Sequence, residues 1–141
     1  MIITQTLQHF FPKLKISTSA KNFNGELGLS LSIFEIDEWK PNPWCFIKTL
    51  FLATKKALFA KKNYDIIVLE YGIDRPKEME FLITIAKPHV GIFTAIDVVH
   101  SEQFGNPNEI AKEEVKMIQN TREVAFLNEN DLYAMQLKDQ I

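Results

Sequence analysis

An α/β fold, with a mostly parallel sheet flanked by helices, is what this sequence predicts, on three observations. Short apolar runs of strand length alternate with longer helical patterns, which calls for parallel strands joined by right-handed crossovers. The run Ile66–Glu70 is nearly continuous in Ile, Val and Leu, as expected of a strand covered on both faces. The chain has 141 residues, 46% of them apolar, which is enough to bury a core of its own. Residues 1–141 are therefore expected to form a single domain.

Each element has its own local reason. Met1–Phe11 places Ile2, Ile3, Leu7, Phe10 and Phe11 at roughly helical spacing before Pro12 stops it. Lys13–Thr18 alternates charged and apolar residues as a short strand does, and Ser19–Gly28 reads as a polar, glycine-containing turn. After the charged connector Glu35–Pro43, Trp44–Ala60 is the most apolar helix candidate. Beyond strand Ile66–Glu70 a helix is expected from Lys77 to about Ala86, with Met79, Leu82, Ile83 and Ala86 as its inner stripe and Pro88 as its stop. Strand Val90–Thr94, helix Asn106–Gln119, strand Val124–Leu127 and a helix over Asp131–Leu137 complete the order.

Charge and cysteine content narrow the function. A net charge of −2 and a pI near 5.9 give no broad basic field, so nucleic acid is not an expected partner. The single cysteine, Cys45, has no intramolecular mate, and no secretory leader opens the chain. A reduced, cytoplasmic protein is expected. Helix Trp44–Ala60 is slightly short and too charged to span a bilayer, so no transmembrane segment is expected. Its lysines Lys48, Lys55 and Lys56 are placed near one face, opposite much of Ile47, Leu50, Phe51, Leu58 and Phe59. That pattern fits a helix packed on the sheet with its lysines in water, the preferred reading, or a basic amphipathic helix on an anionic membrane surface.

Chemistry concentrates between Tyr64 and Glu114. Strand Ile66–Glu70 delivers a carboxylate, Glu70, and strand Val90–Thr94 leads to an imidazole, His100. Ligands of open α/β sheets collect outside the carboxyl ends of strands, so these two groups are expected to share a crevice. By themselves a strand-end glutamate can be merely solvated and a lone histidine merely structural. The surrounding residues are more specific. Ile-Val-Leu-Glu-Tyr-Gly (67–72), Asp74-Arg75-Pro76 with Glu78, Ile85-Ala86-Lys87-Pro88-His89-Val90-Gly91, Thr94 and His100-Ser101-Glu102-Gln103-Phe104-Gly105 follow in that order. Asn22-Phe23-Asn24-Gly25-Glu26-Leu27-Gly28 lies upstream and Leu127-Asn128-Glu129-Asn130-Asp131 downstream. In order and spacing this set resembles the central, P-loop NTPase-like domain of the Mur ligases, most nearly the branch that adds D-alanyl-D-alanine to UDP-N-acetylmuramoyl-tripeptide. The resemblance covers nearly the whole chain.

That resemblance implies ATP and Mg2+ as cofactors, with a UDP-muramoyl-peptide and a D-amino acid or dipeptide as substrates. Such ligases transfer the γ-phosphoryl of ATP to a carboxylate, and an amine then displaces phosphate from the acyl phosphate. Charge neutralisation and positioning supply most of that catalysis. By the same resemblance Glu70 is a magnesium ligand, a role suited to a hard oxygen donor, and His100 contributes to a second metal position. Asn22, Asn24 and Glu26 are assigned to the substrate surface, although Asn and Gly suit turns and helix caps regardless of function. Asn128 is assigned first to ending a core strand and second to the nucleotide.

Departures from the family pattern matter equally. Nothing in the chain matches the Gly-x-x-Gly-Lys-Thr phosphate loop, whose amides, lysine and threonine hold phosphates and magnesium. Measured against the family, the chain is expected to start just inside the first nucleotide-binding helix and to stop soon after Asp131, truncated at both ends. Glu114 stands where the family carries a carbamylated lysine; it restores the negative charge on a shorter stem. Lys112 and Lys116 flank that position out of register and suit surface positions or helix carboxylate partners. Ala95 replaces an asparagine of close relatives. The expected function is accordingly the central-domain portion of an ATP-dependent, ADP-forming, amide-bond-forming ligase of peptidoglycan precursor synthesis, inactive alone. The alternatives are a non-catalytic Mur-ligase-like binding module and one half of a split enzyme whose missing elements a protein partner supplies.

Overall fold

The computed structural model describes residues 2–19, 23–59, 64–96, 101–136 and 138, with backbone alone at 101 and 102. Two compact units divide the chain, Met1–Glu70 and Tyr71–Ile141. Each is α/β, with a small parallel sheet and flanking helices.

The first unit runs α1 (Ile2–Phe10), β1 (Ile16–Thr18), α2 (Glu26–Ile33), α3 (Pro43–Phe59) and β2 (Ile66–Val68). Strands β1 and β2 pair in parallel, Ile16 opposite Ile66 and Thr18 opposite Val68. Their amino ends are tied by Lys15, whose backbone N–H donates to the Asp65 carboxylate at 2.8 Å. Lys13 and Leu14 do not extend β1; they belong to a turn closed by the Leu14 N–H on the Phe11 carbonyl at 3.0 Å. In α1 the inward positions are Ile3, Thr4 and Leu7, whereas Ile2, Phe10 and Phe11 are exposed.

Helix α2 corrects the expected turn over Ser19–Gly28, because it starts at Glu26 with Gly25 as its N-cap. Its sequence alternates apolar and polar residues, Leu27, Leu29, Leu31 and Ile33 against Gly28, Ser30 and Ser32, which is strand periodicity. Tertiary packing decides otherwise. A Cβ at Gly28 would lie 2.7 Å from the Phe23 backbone, so the incoming chain crosses the helix over a glycine. The Ser32 hydroxyl donates to the Gly28 carbonyl at 2.9 Å, while Leu29 and Leu31 are buried.

Helix α3 is started by Asn42, whose side-chain oxygen accepts from the Cys45 N–H at 2.8 Å, with Pro43 in the first helical position, where its missing N–H costs nothing. The expected packed face is not the covered one. Only Thr49 is buried, and Cys45, Leu52, Ala53 and Lys56 line the same half-covered arc. Ile47, Leu50, Phe51, Leu58 and Phe59 are exposed. Lys56 turns away from Lys48 and Lys55 to meet Glu35, with Nζ 3.5 Å from Oε2 and donating to the Glu35 carbonyl at 3.1 Å.

The second unit runs α4 (Glu78–Ile85), β3 (Val90–Phe93), α5 (Ser101–Phe104), α6 (Pro107–Gln119), β4 (Val124–Leu127) and α7 (Leu132–Gln136). Strands β3 and β4 are parallel, from Val90 opposite Val124 to Phe93 opposite Leu127. Helix α6 covers one face of this sheet. Phe93, Ala111, Val115, Ile118 and Ala134 form the buried cluster, each large aliphatic residue contributing about 1.5–3 kcal/mol by leaving water. Asn106 caps α6 by accepting from the Glu109 N–H at 3.1 Å, and Pro107 follows it. Gly91 lets the end of α6 close on β3, because a Cβ there would collide with Thr121 Oγ1 and reach Ile118 Cδ1 at 3.0 Å. Met79 and Leu82 of α4 are fully buried, as their spacing predicts. No helix among the described residues is long and apolar enough to cross a membrane.

Candidate functional site

Carboxyl ends of parallel strands are where such sheets bind ligands, and each unit presents one. In the first unit Glu70 is exposed two residues past β2. Thr18 ends β1 opposite Val68, and its buried hydroxyl has no hydrogen-bond partner. Asn24 is half-buried ahead of the Gly25 cap, and Glu26 is exposed in the first turn of α2. Asn22 lies outside the described residues.

In the second unit the strand ends are laced together by two side chains. The Asn128 amide nitrogen donates to the Thr94 carbonyl at 2.8 Å, while its oxygen accepts from the Asn130 N–H at 3.1 Å. Asp131 caps α7 by accepting from the Ala134 N–H at 2.8 Å. Its other carboxylate oxygen accepts from the Ile96 N–H at 3.0 Å. The loop leaving β3 is thus held against the end of β4 at both Thr94 and Ile96. His100, four residues further on, lies outside the described residues, and so do the side chains of Ser101 and Glu102.

Glu114 is half-buried on α6, next to a carboxylate that is more deeply placed. Glu113 is only 6% exposed; one of its oxygens accepts from Lys116 Nζ at 2.8 Å and the other is buried without a partner. Lys116 also donates to Glu80 at 2.7 Å. Hydrogen bonds to these two carboxylates raise the Lys116 pKa above the ordinary lysine value, and the bond from Lys116 lowers that of Glu80. Lys112 pairs with Glu109 at 2.7 Å. Both lysines therefore serve helix carboxylates.

The described residues do not complete a magnesium or ATP-phosphate site. Glu70 offers one hard oxygen donor, but among the described residues no three His, Cys, Asp or Glu side chains gather as a metal site. The 141 residues contain no Gly-x-x-Gly-Lys-Thr.

The family model described as the Mur ligase middle domain matches residues 1–141. The chain belongs to that family. The UDP-N-acetylmuramoyl-tripeptide–D-alanyl-D-alanine ligase of Borreliella burgdorferi is 27% identical over 126 residues, covering 89% of this chain and 22% of its own length. The crystal structure of MurF from Acinetobacter baumannii matches 98% of this chain and 26% of its own, with a TM-score of 0.68 at 16% identity. The second likeness is one of fold. This Mur ligase middle domain thus spans about a quarter of the length of those relatives.

Several motif residues of this Mur ligase middle domain have positions that sequence reasoning left unassigned. Glu78, in the first turn of α4, accepts from the backbone N–H groups of Asp74 at 2.7 Å and Arg75 at 2.9 Å. It folds the loop after Glu70 back onto the helix start, where its charge suits the helix dipole. Tyr71 donates its hydroxyl to the Ala86 carbonyl at 2.6 Å, and burial pushes its pKa up to about 12. Gly105 takes φ +80° between α5 and α6, a left-handed turn that favours glycine. The available signals were local: an acid at the start of a helix for Glu78, and Asp ahead of an apolar helix for Asp131.

Proposed function

We propose that residues 1–141 are the middle-domain portion of an ATP-dependent, ADP-forming ligase of peptidoglycan precursor synthesis. Its substrates are a cytoplasmic UDP-muramoyl-peptide and a D-amino acid or dipeptide. The observation that carries this reading is the family match over the full 141 residues, and the similarity to the Borreliella ligase supports the choice of substrates. In it Glu70 is the first-metal carboxylate and His100 belongs to the second metal position. Glu114 occupies the register of the carbamylated lysine, Asn22, Asn24 and Glu26 face the muramoyl peptide, and Asn128 lies on the nucleotide side. The chain alone does not ligate, because the lysine and threonine of a phosphate loop are not among its residues.

A binding module that keeps the scaffold without the chemistry is the second reading. Glu114 and Ala95 favour it, since the first shortens the reach of an anionic group and the second removes a polar side chain that the ligase pattern uses. One titration addresses the substrate face. UDP-N-acetylmuramoyl-tripeptide added to the chain in a calorimeter should bind, and Asn24→Ala combined with Glu26→Ala should weaken it by about 10-fold or more, as expected for lost polar contacts. No binding by the unaltered chain would overturn the substrate-face assignment, and binding indifferent to both substitutions would move it elsewhere.

A further inference from the structure

Helix α3 carries an apolar surface that nothing in its own unit covers. Trp44 is 82% exposed, Phe51 69% and Leu58 70%, and Phe46, Ile47 and Leu50 are exposed as well. At 3.6 residues per turn these six occupy one continuous arc of roughly 160°. The arc continues at its amino end into a shallow apolar cavity of 430 Å³ lined by Trp39, Pro41, Pro43, Phe46 and Ile47. An apolar face of this extent on an exposed helix marks an interaction surface. Charge identifies what it meets. Residues 39–64 contain six lysines and no Asp or Glu, although the chain as a whole is net −2. Lys48 and Lys55 border the arc, and among the described lysines of this stretch only Lys56 has a carboxylate partner, Glu35. Two copies pressed together along α3 would bring lysines against lysines with no carboxylate between them, which opposes self-association.

We propose that α3 seats this protein on an anionic membrane surface, its aromatic and leucine face entering the headgroup region and its lysines meeting lipid phosphates. Aromatic residues and leucine along one arc, with lysines at its edge, suit a helix that lies in a bilayer interface. Seventeen residues with three lysines do not span it. The inference is independent of the ligase reading, and its test involves neither ATP nor substrate.

The chain carrying Trp39→Phe keeps Trp44 as its sole tryptophan. Mixed with vesicles of phosphatidylglycerol and phosphatidylcholine, it should sediment with the lipid, shift its emission to shorter wavelength and be quenched by brominated acyl chains. Binding to phosphatidylcholine alone should be ~10-fold weaker or less, and added salt should weaken the anionic case. Phe51→Glu with Leu58→Glu should abolish sedimentation. Lys48→Glu with Lys55→Glu should reduce it about 10-fold or more on anionic vesicles, while Lys13→Glu leaves it unchanged; circular dichroism checks that each variant is folded. Failure to bind anionic vesicles, or equal binding to both lipids, overturns the proposal. So does a dimer, seen by sedimentation velocity without lipid, that Phe51→Glu dissociates, because the face would then belong to a second copy.

Discussion

Helices α3 and α6 are the two longest among the described residues, and in sequence each falls between the two parallel strands of its own unit. Their surfaces are used in opposite ways. Helix α6 is rich in charge, yet it buries Ile110, Ala111, Glu113, Val115 and Ile118 against β3 and its neighbours. Helix α3 is far more apolar and buries only Thr49. Apolar content therefore does not tell which face a helix covers. In α6 the apolar residues recur at three and four positions, so one face is defined by sequence and packing follows it. In α3 apolar residues occupy most of the circumference, and the covered arc is set by the small residues Cys45, Thr49 and Ala53.

Stability measurements test this contrast. Ile118→Ala should produce the largest loss, about 2–5 kcal/mol by urea unfolding, because it opens a cavity in the closed cluster. Lys116→Met comes next, at about 1–3 kcal/mol, since it strands the buried Glu113 carboxylate without its partner. The pH dependence should follow. A lysine whose pKa rises on folding contributes fully below its unfolded value, near 10.5, and loses that contribution as pH climbs through the folded value. Wild type should lose stability in that alkaline range more steeply than Lys116→Met.

Gly28→Ala should cost about 1–3 kcal/mol through its clash with the Phe23 backbone, although alanine is the better helix former. Tyr71→Phe should cost about 1 kcal/mol for the lost hydrogen bond to Ala86. Because the folded Tyr71 pKa is raised to about 12 from 10.0, its contribution is complete below pH 10 and declines toward pH 12. The phenylalanine variant should lack that decline. Leu58→Ala on α3 should change stability least, within about 0.5 kcal/mol. A loss there comparable to that of Ile118→Ala would show that the α3 face is covered in solution.

The alternation of strands and helices was legible because β2, β3 and β4 are short apolar runs bounded by Gly, Pro or Asn, and α4 and α6 have clear helical stripes. Helix α2 was not, since its leucines alternate as in a strand and only the approach of Phe23 to Gly28 explains it. Strand β2 ends at Val68, leaving Glu70 beyond the ladder. At the candidate site, sequence register pointed to Glu114, while the deeply buried carboxylate on α6 is its neighbour Glu113. Adjacent positions on a helix point about 100° apart, so the choice depends on where the sheet lies. Asn128 and Asp131 were visible as a polar turn, but their hold on Thr94 and Ile96 joins residues more than thirty positions apart. Such contacts leave no local signal.

That the middle-domain chain does not ligate alone is tested most directly by supplying the 141 residues with ATP, magnesium, UDP-N-acetylmuramoyl-tripeptide and D-alanyl-D-alanine and measuring ADP together with the ligated product. Neither ADP nor product should appear above the protein-free control. Joint, stoichiometric appearance of both, lost in Glu70→Ala, would contradict this and place a complete ATP site within these residues.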